Sequence, residues 1–208
     1  MLPAVRCDHR TVALTAVLGG LLLGALDFVW IKWVPYPFAE LGNSTATWAV
    51  AAFTFGCLVR SGPVRSALGA AVLLVVAVPS YYLTATLLQG DDPAVVWAPT
   101  SLLWMAFGVV AGVVFGVGGD WARRDGVRRI LGTALPAAVF FEEAARFAGR
   151  ARDPAYPPGA EWNVAIDVAL GMLAVALVGG SHRRRALALA AALPIAAVIF
   201  VGFAVAGR

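Results

Sequence analysis

The chain has 208 residues, 61% of them hydrophobic and 13% charged, against roughly 25% charged in an ordinary soluble domain. Its formal net charge is +4. In so apolar a chain a basic excess is first a topological signal, because Lys and Arg are retained on the cytoplasmic side of a membrane, and this argues against a nucleic-acid partner.

About 20 apolar residues span a hydrocarbon core roughly 30 Å thick, so this length accommodates seven or eight spans joined by short loops. Seven apolar windows emerge in chain order: Thr11–Ile31, Thr45–Val59, Ser66–Leu88, Thr100–Gly119, Ile130–Ala148, Glu161–Gly180 and Ala186–Ala206. The fold class is therefore all-α, a polytopic transmembrane bundle of about seven spans forming one domain over residues 1–208.

The first window follows Arg6 and Arg10 as a signal peptide would, but it is too long and lacks a small-residue cleavage site, so it reads as an uncleaved span. The second is short, a length met by tilting, local thinning or partial re-entry. Asn43 and Ser44 before it read as N-cap residues, and the Glu40 segment as the lining of an outer vestibule. Pro79, Pro136 and Pro194 fall inside spans, where neighbouring helices can satisfy the freed backbone groups. The spacings Gly20/Gly24, Gly108/Gly112/Gly116 and Ala165/Ala169 let helices approach closely.

Orientation follows from the basic residues. With the N-terminus cytoplasmic, Arg6, Arg10, Arg60, Arg65, Arg123, Arg124, Arg128, Arg129 and Arg183–Arg185 lie inside, and only Lys32, Arg146, Arg150, Arg152 and Arg208 lie outside. The scarcity of Lys and the abundance of Ala and Gly suggest a GC-rich bacterial gene and a bacterial plasma membrane. Cys7 and Cys57 form no disulfide framework; Cys7 with His9 lacks a second ligand pair, and His182 stands in an arginine run, so no metal or cofactor is expected.

On this topology the acids and aromatics are unequally divided. Asp8, Asp120 and Asp125 lie inside, whereas nine acids, from Asp27 to Asp167, lie at the outer surface or in outer helix halves. Trp30, Trp33, Trp48, Trp97, Trp104 and Trp162 also fall outward, with Tyr81 and Tyr82, and only Trp121 inward. An interfacial belt decorates both sides equally, so one half of the bundle is singled out.

Carboxylates within a span normally face a bundle interior or cavity, which makes Asp167, Asp27, Glu142 and Glu143 the candidate catalytic groups. Tyr81, Tyr82, Trp104, Trp162 and Asn163 are the candidate substrate-binding residues, Asn163 standing one turn before Asp167 on the same helix face. Arg146 follows Glu142 and Glu143 by four and three residues and is positioned to neutralise one; two adjacent carboxylates are not expected to share it well. The Asp91-Asp92 pair sits in a Pro-bounded turn without a second acidic cluster, which argues against a metal-diphosphate motif.

At PFAELGNSTATWAVAAFTFG, PSYYLTATLL, GVVFGVGGDWARR and FFEEAARF the chain resembles, over nearly its whole length, a family of small actinobacterial multi-pass membrane proteins classed as a domain of unknown function. That resemblance implies topology. In size, seven-helix count and scattered intramembrane carboxylates the chain is similar to the small membrane-bound terpene cyclases, which protonate an epoxide or alkene with embedded acids. No motif aligns, and no residue role is transferred.

Three functions are compatible with this pattern. An acid-initiated cyclase or isomerase of a lipophilic, isoprenoid-like molecule would need a dry, closed pocket with a proton donor and aromatic faces to stabilise a cation. A proton- or cation-coupled transporter of a small molecule would need a polar route to both faces, and the cytoplasmic halves are almost free of polar residues. An accessory protein would offer its outer acids and inner arginines to a partner or to membrane lipid head groups. The first is favoured by the outer clustering of acid and aromatic residues.

Overall fold

A computed structural model of the chain describes residues 8–153 and 158–206; Arg6, Cys7 and Arg208, weighed above, lie outside the described residues. The described residues form seven α-helices: α1 (His9–Trp33), α2 (Thr45–Val59), α3 (Pro63–Gln89), α4 (Pro99–Ala122), α5 (Val127–Arg150), α6 (Ala160–Val178) and α7 (His182–Ala206). Each apolar window becomes one helix, and short 3-10 turns at Phe38–Leu41 and Pro93–Trp97 fill two connections.

Helix ends follow local chemistry. Asp8 caps α1 by accepting from the Thr11 amide at 2.7 Å, and the same hydrogen bond holds its carboxyl below the usual range. Ser44 caps α2 as expected, accepting from the Thr47 amide at 3.0 Å. Gly90 ends α3 at φ +80°, a left-handed conformation that glycine adopts without steric penalty. Pro79, Pro136 and Pro194 all lie inside helices, where packing replaces the lost backbone bonds.

The helices alternate in direction, and their packing follows the small residues. α3 lies between α1 and α4; α2 wedges against α3, α4 and α5; and α5 packs against α4, α6 and α7. Gly20 and Gly24 bring α1 onto the backbone of α3 beside Val76 and Ala77. Gly112 meets Ala71 so closely that an added Cβ would stand 2.5 Å from its nitrogen, and Gly116 and Gly56 meet each other between α4 and α2. Without a hydrophobic driving force between helices in lipid, such backbone contacts gain dispersion energy that larger side chains would forfeit. The Ala165/Ala169 pair behaves differently: both residues are exposed, and α6 instead turns Asn163, Asp167 and Gly171 inward, with Gly171 against the Phe141 ring.

Five of the described helices, α1, α3, α4, α6 and α7, are long and apolar enough to cross a membrane. α2 has 15 residues and is short by that measure. α5 is long but carries Glu142, Glu143 and Arg146 on its buried surface, so its hydropathy is that of a helix shielded by neighbours. Leu14, Leu22, Leu68, Val110, Leu177 and Val198 stand outward at 60–77% exposure, as expected of surfaces that meet lipid tails.

Candidate functional site

Two cavities open in the half of the bundle remote from the arginine-rich end. The larger, about 540 Å³, is bounded by α1, α2, α3, α4, α5 and α7. Its wall is mainly apolar: Leu74, Val78, Phe107, Phe115, Leu135, Val139, Ile195 and Ile199 contribute, and Tyr81, Tyr82, Trp48 and Trp104 present aromatic surface. Asp27 is the one ionisable carboxylate among its described lining residues.

The position of Asp27 is set by two neighbours. It lies on the α1 face that Gly20 and Gly24 press against α3, which buries it to 7% exposure. From α2, the Trp48 indole N–H donates to Asp27 Oδ2 at 2.9 Å. A buried indole requires an acceptor, and an intramembrane carboxylate requires a donor; each is the other's partner. Beside them the Tyr81 ring stands edge-on to Phe28 at 5.4 Å and to Tyr82 at 5.3 Å, giving a fixed aromatic cluster across α1 and α3. Ser44 and Thr45, at the start of α2, complete a small polar end to a long apolar space.

The cavity is not closed on all sides. α4 and α7 both line it yet scarcely touch one another. Trp104, Phe107, Val110 and Val114 on α4 remain 38–63% exposed. The opening therefore faces sideways, between two helices whose outer surfaces are apolar, and differs from the sealed pocket expected of a dry active site.

The smaller cavity, about 260 Å³, is polar and lined by Glu40, Asn43, Ser44, Glu143, Arg146, Phe147 and Arg150. Asn43 and Ser44 belong to both walls, so the segment that caps α2 also separates the two spaces. Glu40, in the 3-10 turn before α2, lines this smaller cavity.

Glu143 lines this polar cavity, and Glu142 precedes it on α5, buried to 1% exposure. Arg146 Nε lies 2.7 Å from Glu142 Oε1, and its Nη2 lies 3.1 Å from Glu143 Oε1. Both carboxylates form ion pairs with Arg146, but the sharing is uneven, as the spacing suggests: Glu143 accepts a hydrogen bond from Nη2, whereas Arg146 Nε and Glu142 Oε1 have no hydrogen-bond partner among the described residues. Glu143 also accepts from the Thr45 amide at 2.9 Å, from the Thr45 hydroxyl at 3.1 Å and from the Ser44 hydroxyl, so it holds the N-terminus of α2 to α5. Arg146 in turn stacks over the Phe203 ring at 5.1 Å.

Asp167 occupies a third location. It is 3% exposed in the contact between α6 and α5, within electrostatic reach of Glu142, Glu143 and Arg146, and its Oδ2 has no hydrogen-bond partner among the described residues. Asn163, one turn earlier, is buried and lies 3.3 Å from the Tyr36 hydroxyl. Trp162 is 62% exposed on the outside of α6.

Of the residues singled out from sequence, the structure thus brings Asp27, Tyr81, Tyr82 and Trp104 to one cavity. It places Glu142, Glu143, Asp167, Asn163 and Trp162 outside that cavity. Trp48 and Phe107 were not among the wall residues expected. Trp48 was findable, since an indole one turn inside a span needs an acceptor and Asp27 is the carboxylate nearest in sequence that a neighbouring helix offers. Nothing local marked Phe107 or the α7 wall. No group of His, Cys, Asp and Glu suited to a metal ion occurs among the described residues.

With this geometry in view, the chain belongs to a family of unknown function, DUF6518, whose model matches residues 5–207. No curated protein and no solved structure matches it.

Proposed function

We propose that this member of the family is an acid-initiated cyclase or isomerase acting on a lipophilic, isoprenoid-like molecule, with Asp27 as its proton donor. The observation that carries the reading is the isolation of Asp27 as the single carboxylate in a mainly apolar, aromatic-walled cavity of about 540 Å³. That volume lies within the range of small-molecule sites. A substrate of this class has few polar atoms, so one acid and an aromatic wall suffice to engage it.

In the proposed step the Asp27 carboxyl, protonated at rest, transfers its proton to an alkene carbon or an epoxide oxygen of the bound substrate. A new C–H or O–H bond forms, the alkene π bond or an epoxide C–O bond breaks, and a carbocation develops on the chain. The faces of Tyr81, Tyr82, Trp48 and Trp104 stabilise that cation electrostatically. Ring closure or migration follows, and loss of a proton from the product cation returns one to Asp27. The Trp48 N–H, bound to Oδ2, stabilises the carboxylate between the two transfers and leaves Oδ1 for the substrate. The lateral opening between α4 and α7 supports entry from the lipid phase, where such a substrate partitions.

The membrane setting belongs to the same proposal. Seven spans in a bacterial plasma membrane, with α2 and α5 crossing inside the bundle and the N-terminus cytoplasmic, are supported by the alternation of helix direction and by the concentration of arginines at one end. Asp27 then lies in the outer half, and membrane lipid surrounds the apolar faces.

The test is incubation of the purified chain with farnesyl- and geranylgeranyl-type alcohols and their terminal epoxides, followed by chromatography for isomers of unchanged mass. Cyclised isomers that vanish with Asp27→Asn support the proposal; absence of any isomer with substrates shown to bind removes it. A second reading, a carrier of the same lipophile, is favoured by the shared Asn43-Ser44 wall between the apolar cavity and the polar vestibule. It predicts release of unaltered ligand.

A further inference from the structure

We infer that the arginine-rich end holds a phosphate-bearing anion between Arg129 of α5 and Arg185 of α7, over the Gly179-Gly180 turn that joins α6 to α7. The two arginines come from different helices yet lie against the same dipeptide. Arg129 Nη2 is 3.3 Å from where a Cβ of Gly180 would stand, and Arg185 Cγ is 2.6 Å from that of Gly179. Gly180 has φ +69°, a backbone conformation that favours glycine, and is exposed, whereas Gly179 is buried beneath the Arg185 stem.

The second observation is the state of the arginines. The Nε of each is withdrawn from solvent and has no hydrogen-bond partner, and neither arginine has an ion-pair partner among the described residues. This contrasts with Arg123 and Arg124 nearby, which are matched by Asp120 at 3.4 and 2.6 Å. Both side chains are partly exposed, so their remaining donors stay open to a ligand, and a guanidinium edge withdrawn from water without a partner favours an anion that can reach it. The geometry leaves the demand to a ligand.

The ligand chemistry follows from the donors. Two guanidinium groups present planar forks that match phosphate oxygens. The 25-residue α7 begins at His182 beside them; Ser181 already accepts from the Arg184 and Arg185 amides, so the arginine side chains carry the site. Arg128, Arg183 and Arg184 are exposed around the pair and raise the local anion concentration. A phosphodiester lipid head group and a free phosphate both fit this chemistry.

The experiment is thermal unfolding of the full chain in a neutral detergent with added phosphatidylglycerol, phosphatidylcholine or inorganic phosphate. Ligands that bind the folded state raise its Tm. A rise of several degrees with phosphatidylglycerol alone assigns the site to a lipid head group, and an equal rise with inorganic phosphate assigns it to a soluble phosphate. Arg129→Gln with Arg185→Gln is expected to abolish the shift, whereas Arg128→Gln with Arg183→Gln, an equal loss of charge on exposed positions, is expected to retain most of it. Should the first pair fail to fold, Arg129→Lys with Arg185→Lys keeps the charge, removes the fork and is expected to weaken the shift. An equal response to phosphatidylcholine, no response to any probe, or equal loss in both glutamine pairs overturns the inference.

Discussion

Trp48 of α2 donates its indole N–H to Asp27 of α1 at 2.9 Å, and the pair forms the polar end of the main cavity. The bond ties the Asp27 carboxyl to a fixed orientation without a cation beside it. In the proposed reaction, Asp27→Asn keeps the volume and a hydrogen-bonding side chain but removes the transferable proton. General acids contribute typically 10²–10⁴-fold, so turnover is expected to fall by at least about 10²-fold while the substrate still binds. A Trp48→Phe variant is expected to lose less, through misorientation of Asp27. Product formation measured beside ligand binding separates the two effects.

The apolar end of the cavity can be tested without touching the acid. Ala111 lines it from α4, and Ala111→Phe places a ring in the space. Affinity for a lipophilic ligand is expected to drop by about tenfold or more, equivalent to about 1.4 kcal/mol, with little change in Tm. Fluorescent-ligand titration and thermal unfolding on the same preparation check both halves.

Arg146 is predicted to matter for stability. It reaches Glu142 and Glu143 together with a side chain 28% exposed, while both carboxylates are almost wholly buried. Removing one partner of a buried ion pair costs about 3–5 kcal/mol, an upper figure here because the arginine is partly solvated. Arg146→Gln is therefore expected to lower Tm more than Glu142→Gln does. Equal Tm values for the two variants would remove the structural role assigned to the pair.

Close helix contact gives a further contrast. Gly112 lies against the Ala71 backbone, so Gly112→Val is expected to destabilise by about 1–3 kcal/mol or more through forced separation of α3 and α4. Ala165→Val, on the exposed face of α6, is expected to stay within about 0.5 kcal/mol. Thermal or denaturant unfolding in detergent distinguishes them.

Orientation is open to direct labelling. In a Cys7→Ser, Cys57→Ala background, cysteines at Asp91 and Asp125, both exposed and at opposite ends of the bundle, are expected to react with a membrane-impermeant maleimide from opposite sides. Asp91 is expected to label from outside intact cells. Labelling of Asp125 from outside instead would reverse the proposed topology.

The sequence by itself determined the seven helices, their limits to within about four residues, and the unequal ends. Apolar length, Pro and Gly boundaries and caps such as Ser44 are local, and local chemistry is what a sequence states directly. Only the tertiary structure decided which carboxylate meets the cavity. Asp27, Asp167, Glu142 and Glu143 look alike along the chain, each being an acid within an apolar window. In the bundle Asp27 turns to the aromatic cavity, Arg146 gathers both glutamates, and Asp167 enters the contact between α5 and α6. A helix that is apolar nearly all round carries little record of which face it buries, because lipid and protein interior are similar solvents for its side chains. Its rotation about its own axis is fixed by backbone contacts at glycines such as Gly24 and Gly112, and those contacts exist only once the neighbouring helices are in place.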